Sequence, residues 1–110
     1  MKKIIFAVLI GIAFSGMSVA MASGDHSVNT VIAAHLDRVH AATLAVAPEN
    51  NYTVKKDVKY ATAFRVDLTS ASGKEVQVWL QMDKNRTDVR VVGSDHESVK
   101  TILDAIRARF

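Results

Sequence analysis

The sequence predicts one small α+β domain of two layers, in the order helix, three or four antiparallel strands, helix, with both helices on one face of the sheet. Near both ends of the expected mature chain, apolar residues recur at the three- and four-residue spacing of a helix. Between these segments, apolar and polar residues alternate as in strands with one buried face. Since every element has an apolar side, two packed layers are the simplest arrangement that buries them all.

The first 22 residues have the composition of a cleaved signal peptide. Lys2 and Lys3 precede an apolar run over residues 4–14, and small residues follow as far as Ala22. The run is too short for a membrane span, and cleavage after Ala20 or Ala22 fits the small-x-small pattern. We therefore expect export to the periplasm, or secretion beyond it, with no membrane anchor after cleavage. Residues 23–27 would form a flexible lead-in and residues 28–110 a single domain.

Charge and cysteine content limit the kinds of function that the chain can have. It contains 14 Lys and Arg residues and 11 Asp and Glu residues; two lysines lie in the signal peptide, which leaves 12 basic residues. Such a balanced charge is not typical of a nucleic-acid-binding surface, so no nucleic-acid partner is expected. The chain has no cysteine, so its core must hold the fold without disulfides.

The first predicted helix begins at Val28. Its apolar stripe steps by four and three residues through Val28, Ile32, Leu36, Val39, Thr43 and Val46. Either Ser27 or Asn29 can cap its start, because a side-chain oxygen there can accept a backbone N–H of the first turn. Pro48 is expected to end this helix.

Strands are predicted after the first helix. Tyr52 and Val54 indicate a short first strand, and residues 55–59 either extend it or form a bulge or crossover. Alternation then predicts three more strands, whose apolar faces are Tyr60, Phe64, Val66 and Leu68; Val76, Val78, Leu80 and Met82; and Val89 and Val91. Gly73 lies in the loop of residues 70–74, where it can take a positive φ.

The last predicted element is an amphipathic helix. Its apolar stripe consists of Val99, Ile102, Leu103, Ile106 and Phe110. Ahead of it, Ser94 and Glu97 have the spacing of a capping box, in which the serine oxygen accepts the N–H of residue 97. The polar stretch Ser94-Asp95-His96-Glu97 is therefore interpreted as a helix start and not as a catalytic cluster.

These elements resemble domain-of-unknown-function family 3568, an uncharacterised bacterial family. The resemblance lies in the Tyr52-x-Val54 strand, the hairpin SASGKEVQVWL, the strand TDVRVVGSD and the closing helix SVKTILDAIRARF, and it covers about residues 28–110. It implies the fold, but no activity and no functional residues. Members are often described as lipoproteins, whereas this chain has no cysteine to carry a lipid.

The candidate binding surface is the sheet face that the predicted helices leave open. Trp79 is out of phase with the apolar face of its own strand, so we expect it on that open face. The residues expected around it are Arg65, Arg90, Gln77 and Gln81. Two interpretations remain: the indole packs on arginine side chains of neighbouring strands, or it anchors an unknown envelope protein or a second copy of the chain.

The alternatives to this non-catalytic binding or assembly module are a metal- or pH-responsive protein and an enzyme of unrecognised type. For the first, His35 and His96 would meet if the two helices lie side by side, and imidazoles bind metals and titrate near neutral pH. An enzyme is not the prediction, because the sequence has no cysteine nucleophile, G-x-S-x-G motif, phosphate loop or dinucleotide fingerprint. No cofactor is expected.

Overall fold

The computed structural model describes residues 26–110, which form a five-stranded antiparallel sheet and two helices. The elements in chain order are β1 (His26–Ile32), α1 (Leu36–Glu49), β2 (Tyr52–Lys59), β3 (Ala63–Ser70), β4 (Glu75–Asp83), β5 (Arg86–Gly93) and α2 (His96–Arg107). The strand order in the sheet is β1-β5-β4-β3-β2. The predicted α+β class is confirmed, and the predicted signal peptide, its cleavage site and residues 23–25 lie outside the described residues.

Strand β1 is the main correction to the predicted fold. It replaces the end of the expected lead-in and the first turns of the expected helix, so the sheet has five strands and not three or four. It pairs with β5 along its whole length, from His26 opposite Gly93 to Ile32 opposite Thr87. The β-branched residues Val28, Thr30, Val31 and Ile32 favour a strand, and pairing with β5 outweighs the helical spacing.

Helix α1 therefore begins at Leu36 and not at Val28, and the predicted caps Ser27 and Asn29 lie in β1. His35 is the N-cap residue, and its Nδ1 accepts the backbone N–H of Asp37 at 3.4 Å. Pro48 lies in the last turn and the helix continues to Glu49. The later part of the predicted apolar stripe is correct, because Leu36, Val39, Thr43 and Val46 are buried.

Strands β2 to β5 match the predicted segments. Residues 55–59 belong to β2, which has a register shift between Val54 and Lys56, so this segment is a strand that contains a bulge. Gly73 has a φ of 90° in the β3–β4 hairpin, a conformation that costs glycine little because it has no Cβ.

The hydrophobic core contains residues of both helices and of one face of the sheet. The helices contribute Leu36, Val39, Val46, Val99, Ile102 and Ile106, and the sheet contributes Phe64, Val66, Leu68, Val76, Val78, Leu80, Val89 and Val91. Alternate residues of β3, β4 and β5 point away from this core. The expected phase of these three strands is thereby confirmed, except that Tyr60 precedes β3 and stacks on Trp79 instead of joining the core face.

Helix α2 is confirmed, but it ends before Phe110, which is 45% exposed, and its N-cap is Asp95 and not Ser94. The Asp95 carboxylate accepts the backbone N–H of Ser98 at 2.7 Å and the Ser98 hydroxyl at 3.2 Å. Just before the cap, a Cβ on Gly93 would lie 2.9 Å from Cγ2 of Val99 and 3.1 Å from the Glu75 carbonyl oxygen. The connection between β5 and α2 is therefore tight.

Replacement of Asp95 with alanine should lower the free energy of unfolding by about 1 kcal/mol, because the first turn of α2 loses its side-chain acceptor. The hydrogen bond from the Ser98 backbone N–H is the main reason that the pKa of Asp95 lies below its usual value. The stabilisation should therefore be present at neutral pH and be lost as the pH falls through that lowered pKa. Urea unfolding at two pH values measures both effects, and Ser94→Ala is the matched control. A larger cost for Ser94→Ala would contradict the Asp95 cap.

Candidate functional site on the Trp79 face

The sheet face turned away from the core is called the Trp79 face below. Direct cross-strand pairing places Arg65, Trp79 and Arg90 side by side in one row. The neighbouring rows are Asp67, Gln77 and Val92 on one side, and Ala63, Gln81 and Asp88 on the other. Edge strands β1 and β2 add residues to this face, which are Ser27, Asn29, Val31, Lys56 and Val58. The structure therefore brings together all five predicted binding residues, Trp79, Arg65, Arg90, Gln77 and Gln81.

Trp79 lies on the predicted face, but the expectation that it is exposed is wrong. Its side chain is buried, with 1% exposed. Its Nε1–H donates to Oε1 of Gln77 at 2.8 Å, and the Arg65 guanidinium carbon lies 5.7 Å from the ring centroid. The Tyr60 ring stacks at 6.4 Å. These contacts match the interpretation in which the indole packs on arginine and its strand neighbours.

The two arginines beside Trp79 differ in their ion pairing. Nε of Arg65 lies 3.3 Å from Oδ1 of Asp67, within ion-pair distance but without hydrogen-bond geometry. Arg90 makes no ion pair with any residue from 26 to 110. Each guanidinium is a planar fork of donors that suits a carboxylate. Arg90 is thus the more available cation of the row.

Asp88 is a member of this face that the sequence analysis did not identify. It is buried, with 3% exposed, and its Oδ2 has no hydrogen-bond partner. The pKa of Asp88 is raised to about 6, chiefly by burial and then by the negative charge of Asp83, while the charge of Arg86 lowers it in part. Aspartate is seldom buried, so the residue type gave no indication that Asp88 is buried. The only signal in the sequence was its position in a strand beside alternating valines.

The two glutamines have different roles. Gln77 is buried and accepts the indole N–H of Trp79. Gln81 is half-buried, and its amide donates to the carbonyl oxygen and the hydroxyl of Thr62 at 3.2 and 3.1 Å. Gln77 therefore fixes the orientation of the indole, whereas Gln81 fastens the loop before β3.

The structure does not bring His35 and His96 together. His96 begins α2 and its ring lies 6.1 Å from that of His26, at the start of β1. His35 follows the other end of β1, about 20 Å away at the rise of a strand. Within residues 26–110, no group of three or more His, Asp or Glu side chains could hold a metal ion.

Among residues 26–110, the closest imidazole contact belongs to His40, which the sequence pattern did not indicate as a site residue. Nε2 of His40 lies 2.9 and 3.0 Å from the two carboxylate oxygens of Asp57, and its ring stacks on Phe64 at 3.7 Å. This contact ties α1 to β2 and β3. Its partners are far apart in the chain, so residue spacing alone could not predict it.

Neither helix in the described part of the chain is long and apolar enough to cross a membrane.

Comparison with known proteins supports the predicted resemblance. No curated protein matches the sequence. Among solved structures, the solution structure of Chr148 from Cytophaga hutchinsonii aligns with a TM-score of 0.39 and 10% identity, over 79% of this chain and 92% of that chain. The model of the family described as "Protein of unknown function (DUF3568)" matches residues 4–109. Because this match covers almost the whole sequence, the chain belongs to family DUF3568.

Proposed function

We propose that the protein is a non-catalytic binding module of the periplasm, which holds an acidic segment of an envelope protein against the Trp79 face. Both helices contribute to the core on the opposite face of the sheet, so they do not cover the Trp79 face. The proposed compartment follows from the expected signal peptide over residues 1–22.

One observation supports the proposal above the others. Within residues 26–110, four buried polar side-chain atoms have no hydrogen-bond partner, and all four belong to residues of the Trp79 face: Nε of Arg65 and Arg90, Oδ1 of Asp67 and Oδ2 of Asp88. Buried polar groups in folded proteins are nearly always paired with protein or water. A concentration of such atoms on one face indicates a surface that a ligand or ordered water completes.

A cavity beside Asp67 provides room for such a completion. It has a volume of about 90 Å³ and is lined by Lys55, Asp67, Leu68, Glu75, Val76 and Gln77. A water molecule occupies about 30 Å³ in the liquid, so two or three would fit. Bridging waters can therefore join Asp67 to a bound partner.

Charge favours an acidic partner. Arg65 and Arg90 flank Trp79 in one row, and Lys56 lies opposite Asp67 in the next. Asp67 is within ion-pair distance of Arg65, and the raised pKa of Asp88 weakens its negative charge near pH 6. The remaining charge of the face is positive, and guanidinium groups bind carboxylates through two parallel hydrogen bonds.

Trp79 acts in this proposal as a rigid support and not as the anchor itself. Gln77 holds the indole from one side and Arg65 lies over its ring. An arginine that rests on an aromatic ring loses less conformational entropy when it binds a carboxylate. The partner would therefore contact the guanidinium groups, with the indole beneath them.

The proposal is tested by titration with a short oligo-glutamate peptide while the fluorescence of Trp79, the single tryptophan, is recorded. We expect a saturable change that weakens with salt, because the contact is ionic. Arg90→Gln should weaken binding about tenfold or more, the effect of losing hydrogen bonds between charged groups.

The matched control is Arg107→Gln in the last turn of α2, which removes an equal charge from an exposed residue outside the Trp79 face. It should leave binding unchanged. Equal weakening by both substitutions would indicate a response to net charge alone. That result, or a wild-type protein that shows no saturable change, would contradict the proposed function.

A further inference from the structure

The two edge strands of the sheet, β1 and β2, differ in how they are protected from pairing with other chains. Strand β2 carries Lys55, Lys56, Asp57 and Lys59 and has a bulge after Val54. Charged side chains and bulges are the usual means by which proteins block an exposed strand edge. The β2 edge is therefore protected both by charged side chains and by a bulge.

Strand β1 has none of these protections. Its sequence, HSVNTVI, contains no Lys, Arg, Asp, Glu or Pro, and its register with β5 is regular over all seven residues. No strand within residues 26–110 pairs with its outer edge. Val31 is 48% exposed, one of two large hydrophobic residues of the described chain with such exposure.

We propose that the outer edge of β1 binds β1 of a second copy of the chain in antiparallel pairing, with the two-fold axis at Asn29. This pairing sets Ser27 opposite Val31 of the second copy and Val28 opposite its Thr30, while the two Asn29 residues face each other. It brings no like charges together along residues 27–31. It also goes beyond the proposed function, because it does not depend on any ligand of the Trp79 face.

The distribution of charges and the bulge favour β1–β1 pairing over β2–β2 and β1–β2 pairing between two copies. Two β2 edges would place lysines of both copies along one interface, and like charges across a strand pair are destabilising. Pairing of β1 with β2 of the next copy would meet the bulge and leave a free edge at each end, which builds an open chain of molecules. Only the β1–β1 pairing joins two unprotected edges and closes after two copies.

The expected assembly is a dimer with one continuous ten-stranded sheet. Directly opposite residues of an antiparallel pair point to the same side of the sheet. In a register centred on Asn29, each residue of the Trp79 face lies opposite a residue of the same face in the second copy, so both Trp79 faces lie on one side of the joint sheet. The dimer would thus present two copies of the Arg65–Trp79–Arg90 row to one partner.

A cysteine at the proposed two-fold axis provides a direct test, because the chain has no cysteine of its own. Directly opposite residues of an antiparallel pair have Cα atoms about 4.5–5.5 Å apart, within the range of a disulfide. Protein recovered from cells that express the complete sequence with Asn29→Cys should form a disulfide-linked dimer on mild oxidation. The control, Thr53→Cys, places an exposed cysteine on the β2 edge and should stay largely monomeric.

A charge at the same position provides the second test. Asn29→Lys places two lysines opposite each other and should weaken the dimer by up to about fivefold, whereas Thr53→Lys should not. Sedimentation equilibrium of the uncrosslinked proteins measures this effect. A wild-type protein that is monomeric at all concentrations, a dimer insensitive to Asn29→Lys, or a ladder of oligomers larger than the dimer would each overturn the proposal.

Discussion

Replacement of Trp79 with alanine should lower the free energy of unfolding by about 3–5 kcal/mol, the cost typical of removing a buried large aromatic side chain. Trp79 is only 1% exposed, although it lies outside the core cluster beneath the helices. The substitution would leave a cavity in the Trp79 face. It would also leave Oε1 of Gln77 without the indole N–H that it accepts. Urea unfolding of the two proteins measures the difference.

Glu75→Ala is the matched control in the same strand, because Glu75 is exposed and its ion pair with Lys55 lies at the surface. It should cost less than about 1 kcal/mol. Trp79 fluorescence gives an independent measure, since a buried indole emits at short wavelength and resists a soluble quencher. A quenchable, long-wavelength emission together with a small cost for Trp79→Ala would show that the indole is exposed.

Replacement of Asp88 with asparagine should remove much of the pH dependence of stability between about pH 4 and pH 7. The pKa of Asp88 is raised from 3.8 to about 6, chiefly because burial disfavours the charged carboxylate. In this interval the folded protein holds a proton that the unfolded chain releases, so Asp88 makes the protein less stable as the pH rises through the interval. The difference between the two pKa values corresponds to about 3 kcal/mol.

Asparagine cannot ionise. The free energy of unfolding of Asp88→Asn, relative to that of the wild type, should therefore increase by up to about 3 kcal/mol as the pH rises from acid to mildly alkaline values. Urea unfolding at about pH 4 and about pH 8 measures this gain. Asp104→Asn is the control: the hydrogen bond from Lys100 lowers the pKa of Asp104 below its usual value of 3.8. The stabilisation from that carboxylate is therefore lost only at lower pH, and the stability difference between this variant and the wild type should stay nearly constant over the measured interval. A difference between wild type and Asp88→Asn that does not change with pH would contradict the raised pKa.

The strands β2 to β5 could be predicted because their pattern is local. Alternating valines and leucines, together with turn residues such as Gly73, indicate both the strand and the face that it buries. Strand β1 could not be predicted in this way. Val28 and Ile32 fit a helix and a strand equally well, and the choice depends on β5, which lies near the other end of the chain.

In the candidate site, too, local pattern predicts some features, whereas others depend on residues far apart in the chain. Strand phase alone places Arg65, Trp79 and Arg90 on one face, since it needs only the position of each residue in its own strand. The contacts of Trp79 with Tyr60, Arg65 and Gln77 join side chains from two strands and a loop, and strand phase alone does not predict them. The same limit applies to Asp88, because its raised pKa arises first from burial in the folded protein and then from the charge of Asp83 in the adjacent strand.

The pairing of β1 with β5 has a consequence for the order in which the chain can fold. Synthesis produces the N-terminal end first, yet Ile32 can pair only with Thr87 and His26 only with Gly93, both near the other end of the chain. Closing so long a loop is entropically costly and slows folding. The chain thus cannot complete its sheet until residues 87–93 have been made, and before that point β1 lacks the strand with which it pairs.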